Sequence, residues 1–389
     1  MRNLLTNAYT EGDSNKMKKF LAFLAAAAVL MTAGCSADPK PETHPEKEPE
    51  TKEEAPVQKE EASDKDTETP ELEDSLVIYS THPEELLEIV ADAFTDKTGV
   101  EVEFINLKGE LADRVRAEKE NPQADIMYGG ASSLFMELTA EDIFQPVEPS
   151  WASELDASFK DPDNHWFGTI KTPVMMFYNS EMMTAEEAPK DWSDLADEKY
   201  AGKIVSRDTM SSSIRATIAS LVYQYDKAGN IDGAWDYLTA LDRNMKNYYN
   251  SGTMQFQAVG KQEAPISFAV LSAITQNQTK NEMPLEIIDA ESGSIVITDG
   301  IAAIKNAPHP NAAAAFVEFA GSAEVGALLA NQQNRIPTLK SALADCPEWM
   351  ATEYKMMDVD WKVISEKQNE WIQKFDTEIR DASKDVAKK

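Results

Sequence analysis

Apolar and polar positions fall into three regimes along the chain. Near the start, Lys18-Lys19 precedes an uninterrupted apolar run from Phe20 to Met31. From Ser36 to Ser75 large apolar residues almost vanish. Beyond Leu76 the pattern alternates between the strand and helix periods, and it is this third regime that predicts structure. Leu76-Val77-Ile78-Tyr79 is a short, β-branched apolar run of the kind buried on both faces of a sheet. It breaks at Ser80-Thr81-His82-Pro83, where a helix is predicted to start. Pro83 suits a first helical position, Glu84 and Glu85 complement the positive end of the dipole, and Leu86, Leu87, Val90 and Phe94 share one face. Thr98-Gly99 ends that helix, and Val100 to Phe104 alternates as a second strand, which completes a βαβ unit.

The same alternation continues. Ala124 to Tyr128 reads as a third strand that runs through Gly129-Gly130-Ala131-Ser132-Ser133 into an amphipathic helix from Leu134. Ile170 to Tyr178 is a long extended apolar run, and a helix is predicted through Ala216 to Tyr225. Further strands are expected at Pro265 to Val270, Ser294 to Thr298 and Ile301 to Ile304, with a helix over Asn311 to Phe319. Strands and helices alternating along the whole body define an α/β protein.

The first two regimes change the picture by locating the body. A basic segment, a twelve-residue apolar run and Ala33-Gly34-Cys35 make a secretory leader. The run is well short of the roughly twenty residues of a spanning helix. With cysteine at the cut, the pattern resembles a bacterial lipoprotein signal. Residues 1–34 are then expected to be removed and Cys35 to carry lipid, tethering the chain outside the cytoplasm by a membrane anchor. Met17-Lys18-Lys19 would itself make an ordinary start, so residues 1–16 read as an upstream extension. Residues 35–75 hold fifteen acidic and five basic side chains and many prolines. Such a stretch cannot bury enough surface to offset its chain entropy, and it is expected to be an extended, disordered tether.

The body from Leu76 is about 314 residues long, enough for two lobes, and carries a net charge of -23 out of the chain's -31. That acidity, without a clustered Lys/Arg patch, argues against nucleic acid as a partner. One cysteine, Cys346, remains in the body, so no disulfide can form within it. No GxSxG, HExxH, GxGxxG or phosphate-loop pattern occurs, and Ser80 and His82 share one loop without an acid to orient the histidine. An enzyme is not expected, nor a resident cofactor or metal.

Several stretches are recognisable together: Leu76 to His82, Ala124 to Gly130, Pro189-Lys-Asp-Trp-Ser-Asp-Leu195, Tyr200 to Ile204, Thr298 to Ala313, and Asn334-Arg-Ile-Pro-Thr338. In this order the chain resembles the solute-binding proteins of bacterial ABC importers, in the group that binds ferric iron, thiamine, phosphonates or sugar phosphates. The resemblance implies a monomeric, two-lobed periplasmic-binding fold (type II), its lobes joined by crossing hinge strands with the ligand in the cleft. It implies partnership with an ABC permease and its ATPase subunits. Residues 76–173 with about 297–345 would form the first lobe, 174–296 the second, and 346–389 C-terminal helices.

Four segments place small hydroxyl residues at strand-to-helix junctions: Ser80-Thr81-His82, Gly130-Ala131-Ser132-Ser133, Arg207-Asp208 through Ser211-Ser212-Ser213, and Ser251-Gly252-Thr253. Helix starts leave N–H groups unpaired and attract anions, although the same residues also serve as plain caps. Their positions match the cleft loops of the resembled family. Arg207 is the nearest counter-charge, Asp208 and His82 suit hydroxyl or amine groups, and Phe268, Tyr79, Tyr128 and Trp166 could stack on a ring. Iron binders of the family present adjacent tyrosines on the strand that here reads Ile266-Ser267-Phe268-Ala269. That absence points to a small phosphorylated ligand: a sugar phosphate first, an aminophosphonate or thiamine next, ferric iron as the alternative. Tyr248-Tyr249 is expected to be structural.

Overall fold

The computed structural model describes residues 71–107 and 110–386. The leader, the lipidation candidate Cys35 and nearly all of the acidic tether lie outside the described residues. The tether's far end does not. Ser75 opens the first strand, and the Glu73 carboxylate accepts from the backbone N–H groups of Asn311 and Ala312 at 3.3 and 2.7 Å. Leu72 packs on the adjoining core. The expected boundary at Ser75 therefore moves back by several residues, because one apolar side chain and one capping carboxylate are enough to dock the strand's lead-in.

Twelve strands form one continuous curled sheet. In the first half, β1 (Ser75–Ser80), β2 (Glu101–Asn106) and β3 (Ile126–Ala131) run parallel, and each leads into a helix: α1 (Glu84–Thr98), α2 (Leu111–Ala117) and α3 (Ser132–Ala140). A two-residue β4 (Phe144–Gln145) follows, then the long β5 (Phe167–Asn179). In the second half β6 (Ile204–Arg207), β7 (Met245–Tyr249) and β8 (Ile266–Val270) are again parallel. They feed α4 (Ser212–Lys227) with α5 (Ile231–Asn244), α6 (Gly252–Gly260) and α7 (Leu271–Lys280). After β9 (Leu285–Ile288), β10 (Ile295–Ile304) returns to the first half, where α8 (Pro310–Ala320), α9 (Ala323–Gln333) and β11 (Ile336–Pro337) follow. The chain ends with α10 (Trp361–Lys374) and β12 (Asp385–Val386), which pairs with β7.

β5 and β10 are the crossing strands. Phe167 and Ile170 of β5 sit in a core with Leu86, Phe94 and Phe316, whereas Val174, Met176 and Tyr178 sit in another with Trp192, Leu238 and Trp371. β10 makes the reverse passage, from Ile295 in the second core to Ile301 and Ala303 in the first. The sequence pattern splits β10 into two strands because Asp299-Gly300 interrupts its apolar run. In the sheet the interruption is a register shift within a single strand. The α1 face is buried as the 3.6-residue period predicts, with Leu86, Leu87, Val90 and Phe94 inside.

The registers decide where a site can be. β3 ends at Ala131, opposite Asp299, and Asp299 lies opposite Ile170. β8 ends at Val270, opposite Val174. The C-terminal ends of both parallel sets therefore point at one belt, Ile170 to Val174 on β5 and Ile295 to Asp299 on β10. In open α/β sheets this is where ligands bind.

Candidate functional site

Two loop clusters face the belt. On the first half, Gly129 and Gly130 have φ of +92° and +106°, a conformation only glycine adopts without strain. A β-carbon on Gly129 would lie 2.8 Å from the His82 ring, so this glycine also makes room for the histidine. The Ser80 hydroxyl donates to the Tyr128 carbonyl at 2.5 Å and accepts from the His82 N–H at 3.0 Å. Asn106 donates to the His82 carbonyl at 2.7 Å. His82 is thereby fixed edge-on to Tyr128, ring centroids 4.7 Å apart, with Nε2 buried and unpartnered. Burial, helped by the Arg335 charge, pushes its pKa down to about 3, so the ring is neutral.

On the second half, the Asp208 N–H donates to the Tyr249 carbonyl at 3.0 Å, which ties the β6 and β7 loops together. The Asp208 carboxylate accepts from the Met210 N–H at 3.1 Å and shapes the turn. The Ser211 and Ser213 hydroxyls share a 3.0 Å hydrogen bond, and Ser212 is exposed. Thr209 donates to Asp376, near the C-terminus. Arg207 reaches over Gly252 with its Nε buried and unpartnered. Beneath, Gln255 donates to the Ser267 hydroxyl at 2.8 Å and the Phe268 carbonyl at 2.9 Å, bracing α6 on β8.

The expectation of plain capping fails at these junctions. α1, α3, α4 and α6 begin at Pro83, Ala131, Ser211 and Ser251, and none of these side chains accepts a first-turn N–H. α2 and α7, which also start at the belt end of a strand, have no side-chain cap either. The helices that start elsewhere are capped: α5 by Asn230, α9 by Ser322, α10 by Asp360, and α8 by Glu73. The first-turn donors at the belt are left for another acceptor.

Two sequence-predicted site residues are placed differently. Phe268 is buried in the second core with its ring edge-on to Trp192 at 5.7 Å, because β8 is covered on both faces; it has no exposed face for stacking. The buried Ser80 hydroxyl is spent on the loop. Thr81, Gly130, Ala131, Ser132 and Ser133 gather on the first half, and Arg207, Asp208, Ser211, Ser212, Ser213, Ser251, Gly252 and Thr253 on the second. The Tyr248 and Tyr249 hydroxyls donate to Asp242 at 2.8 Å and Glu263 at 3.1 Å.

Sequence reasoning missed Asp299, Arg335 and Thr169. Arg335 precedes β11, whose Ile336 lies opposite Lys171 of the belt, and its Nε is also buried without a partner. Burial pushes the Asp299 carboxyl up to about 6, with Arg335 opposing the shift. Thr169 lies against the buried Tyr128 hydroxyl, near enough to influence it, and neither oxygen has a partner in good hydrogen-bond geometry. A charged residue inside the apolar run Ile295 to Ile304 was the available signal. One groove beside the belt, lined by Phe159, Lys171, Lys340, Glu353 and Met356 among others, includes none of the loop residues above. We place the site at the loops because the strand ends, uncapped helices and unpartnered polar atoms coincide there.

Two parallel half-sheets, bridged by crossing strands and opening their loops on one belt, define a two-lobed binding protein. The chain belongs to the bacterial extracellular solute-binding proteins, whose family profile matches residues 121–367. It is 32% identical over 319 residues, 80% of this chain and 88% of the other, to a probable ABC transporter periplasmic-binding protein of Sinorhizobium fredii. Many solved structures share its fold, among them two that carry ligands of different kinds. A Trichodesmium protein in complex with iron and citrate matches with TM-score 0.67 at 23% identity, over 78% of this chain and 98% of that one. The periplasmic binding protein AfuA of Actinobacillus pleuropneumoniae, with fructose-6-phosphate bound, matches with TM-score 0.62 at 25% identity over the same shares. The chain is thus an extracellular solute-binding protein by family, and the curated relative named here is a transporter binding protein.

Proposed function

We propose that this protein captures a small phosphorylated organic anion, a sugar phosphate in the first instance, and delivers it to its permease. The observation that carries the reading is the set of uncapped helix starts at the belt, joined there by Arg207 and small hydroxyls. Backbone N–H groups at helix ends hold phosphate without many formal cations, which reconciles an anionic ligand with a chain of net charge -31. AfuA supports the choice, since its solved structure has fructose-6-phosphate bound.

Ferric iron fits these residues less well. It needs several hard anionic oxygens, and the adjacent tyrosines spend their hydroxyls on Asp242 and Glu263. Among the described residues no group of three or more His, Cys, Asp or Glu could hold a metal ion.

Cys35 we assign as the lipid anchor, with the acidic segment as the leash that keeps a monomeric receptor near its permease. Radiolabelled palmitate should enter the wild-type chain and not Cys35→Ser; equal labelling would refute the anchor. For the ligand, thermal unfolding of the purified protein with fructose 6-phosphate, 2-aminoethylphosphonate, thiamine or ferric citrate is the test. A ligand at a hundred times its Kd adds about 2.7 kcal/mol, so a sugar phosphate should raise the midpoint by several degrees. A rise with ferric citrate alone would overturn the reading.

A further inference from the structure

Among the described residues, eight buried side-chain polar atoms have no hydrogen-bond partner, and five belong to His82, Tyr128, Thr169, Arg207 and Arg335. All five residues lie at the belt. The two arginines stand apart from the rest. In an acidic chain, Arg114, Arg116 and Arg380 pair with carboxylates, Arg215 donates to Asn369 and Arg243 is exposed; of the described arginines, Arg207 and Arg335 alone combine the lack of a carboxylate with an inner nitrogen shut away from solvent. Both hold the inner guanidinium nitrogen, Nε, buried and unspent. A buried donor left unmade costs roughly 1–3 kcal/mol, a cost a ligand can relieve. A side-on guanidinium uses Nε with one terminal nitrogen to grip both oxygens of a carboxylate or phosphate.

The two arginines belong to different halves. Arg207 ends β6, beside the starts of α4 and α6. Arg335 lies between α9 and β11, beside the hinge strand, and its charge is felt by His82, Tyr128 and Asp299. We propose that the ligand carries two acidic groups, a phosphate taken by Arg207 with the α4 and α6 helix starts and a second acid taken side-on by Arg335. Asp299 stands farther from Arg335 than an ion pair and, with His82 Nε2 and the Thr169 hydroxyl, meets hydroxyl groups between the two ends. The ligand class is a small polyhydroxylated bis-acid, a phosphorylated sugar acid or a sugar bisphosphate. This inference rests on the phosphorylated-ligand reading and narrows it.

Calorimetric titration of the full protein with two matched pairs tests it: 6-phosphogluconate against glucose 6-phosphate, and fructose 1,6-bisphosphate against fructose 6-phosphate. At least one bis-acid should bind 30-fold or more tighter than its mono-acid partner. Arg335→Gln should abolish that advantage, and a cooperative thermal unfolding transition close to the wild type's shows that the variant is folded. Arg335→Lys should restore part of the advantage, and Arg207→Gln should weaken both members of a pair. If mono-acids bind and neither bis-acid gains, or if the advantage survives Arg335→Gln, the two-acid inference falls while the phosphorylated-ligand reading stands. If no phosphorylated compound binds and ferric citrate does, both fall.

Discussion

Helices in this protein begin in two ways, and the difference follows their place in the fold. Those that leave the C-terminal end of a parallel strand (α1, α2, α3, α4, α6 and α7) have no side chain on their first-turn N–H groups. Those that begin away from the belt are closed by Asn230, Glu73, Ser322 or Asp360. A side-chain cap contributes about 1 kcal/mol. On the proposed function, its absence at every belt-facing start is stability left unclaimed in the empty protein that an arriving anion would recover: the outer starts hold the lobes together and the inner ones would form the binding surface.

The largest effect should come from breaking the inner set. Ser132→Ala with Ser212→Ala is expected to weaken sugar-phosphate binding about 100-fold, equal to ~2.7 kcal/mol, with a thermal midpoint close to wild type. Unchanged affinity by calorimetry would remove these loops from the site.

Next in size is a pH effect confined to the belt. His82 has its pKa depressed in the folded state, so the unfolded chain binds more protons between about 3 and 6.5, and stability is lost as pH falls through that window. Asp299 is raised from 3.8 to about 6, so it works in the opposite direction and costs stability as pH rises through 6. His82→Asn should flatten the acid loss by on the order of 2 kcal/mol near pH 4. Asp299→Asn should steepen it. Urea unfolding at pH 4, 5.5 and 7 measures both, and changes of slope in the same direction from wild type in the two variants would contradict the assignment.

Smaller effects belong to the outer set. Ser322→Ala and Asp360→Ala should each cost about 1 kcal/mol of stability and leave affinity unchanged. Ser251→Ala, whose side chain caps nothing, should cost no more than ~0.5 kcal/mol while weakening binding, and Ser211→Ala, which also loses the bond to Ser213, less than the capping pair. A large stability loss in the second pair would erase the distinction between inner and outer helix starts.

Much of this was legible before the structure. The β1-α1-β2 unit was readable because its apolar residues follow the 2.0 and 3.6 periods without interruption. The hydroxyl loops were readable because serine, threonine and glycine cluster where those periods change. Other features need the third dimension. Arg335 meets the belt only through the pairing of β11 with β5, in which the next residue, Ile336, lies opposite Lys171, 165 positions earlier in the chain. Asp299 looked like a strand break and is a strand interior. Phe268 looked available because sequence shows alternation but not which faces are covered. The inner and outer helix starts have similar residues, since Ser211 and Ser322 both precede a helix; only the hydrogen bonds tell them apart.

Hydrogen exchange of the first-turn amides, read with and without saturating fructose 6-phosphate, tests the central claim most directly. The amides opening α3, α4 and α6 should exchange freely in the empty protein and slow at least tenfold with ligand, while those opening α5, α9 and α10 stay the same. Equal slowing of both sets, or none at the inner starts despite binding, would contradict it.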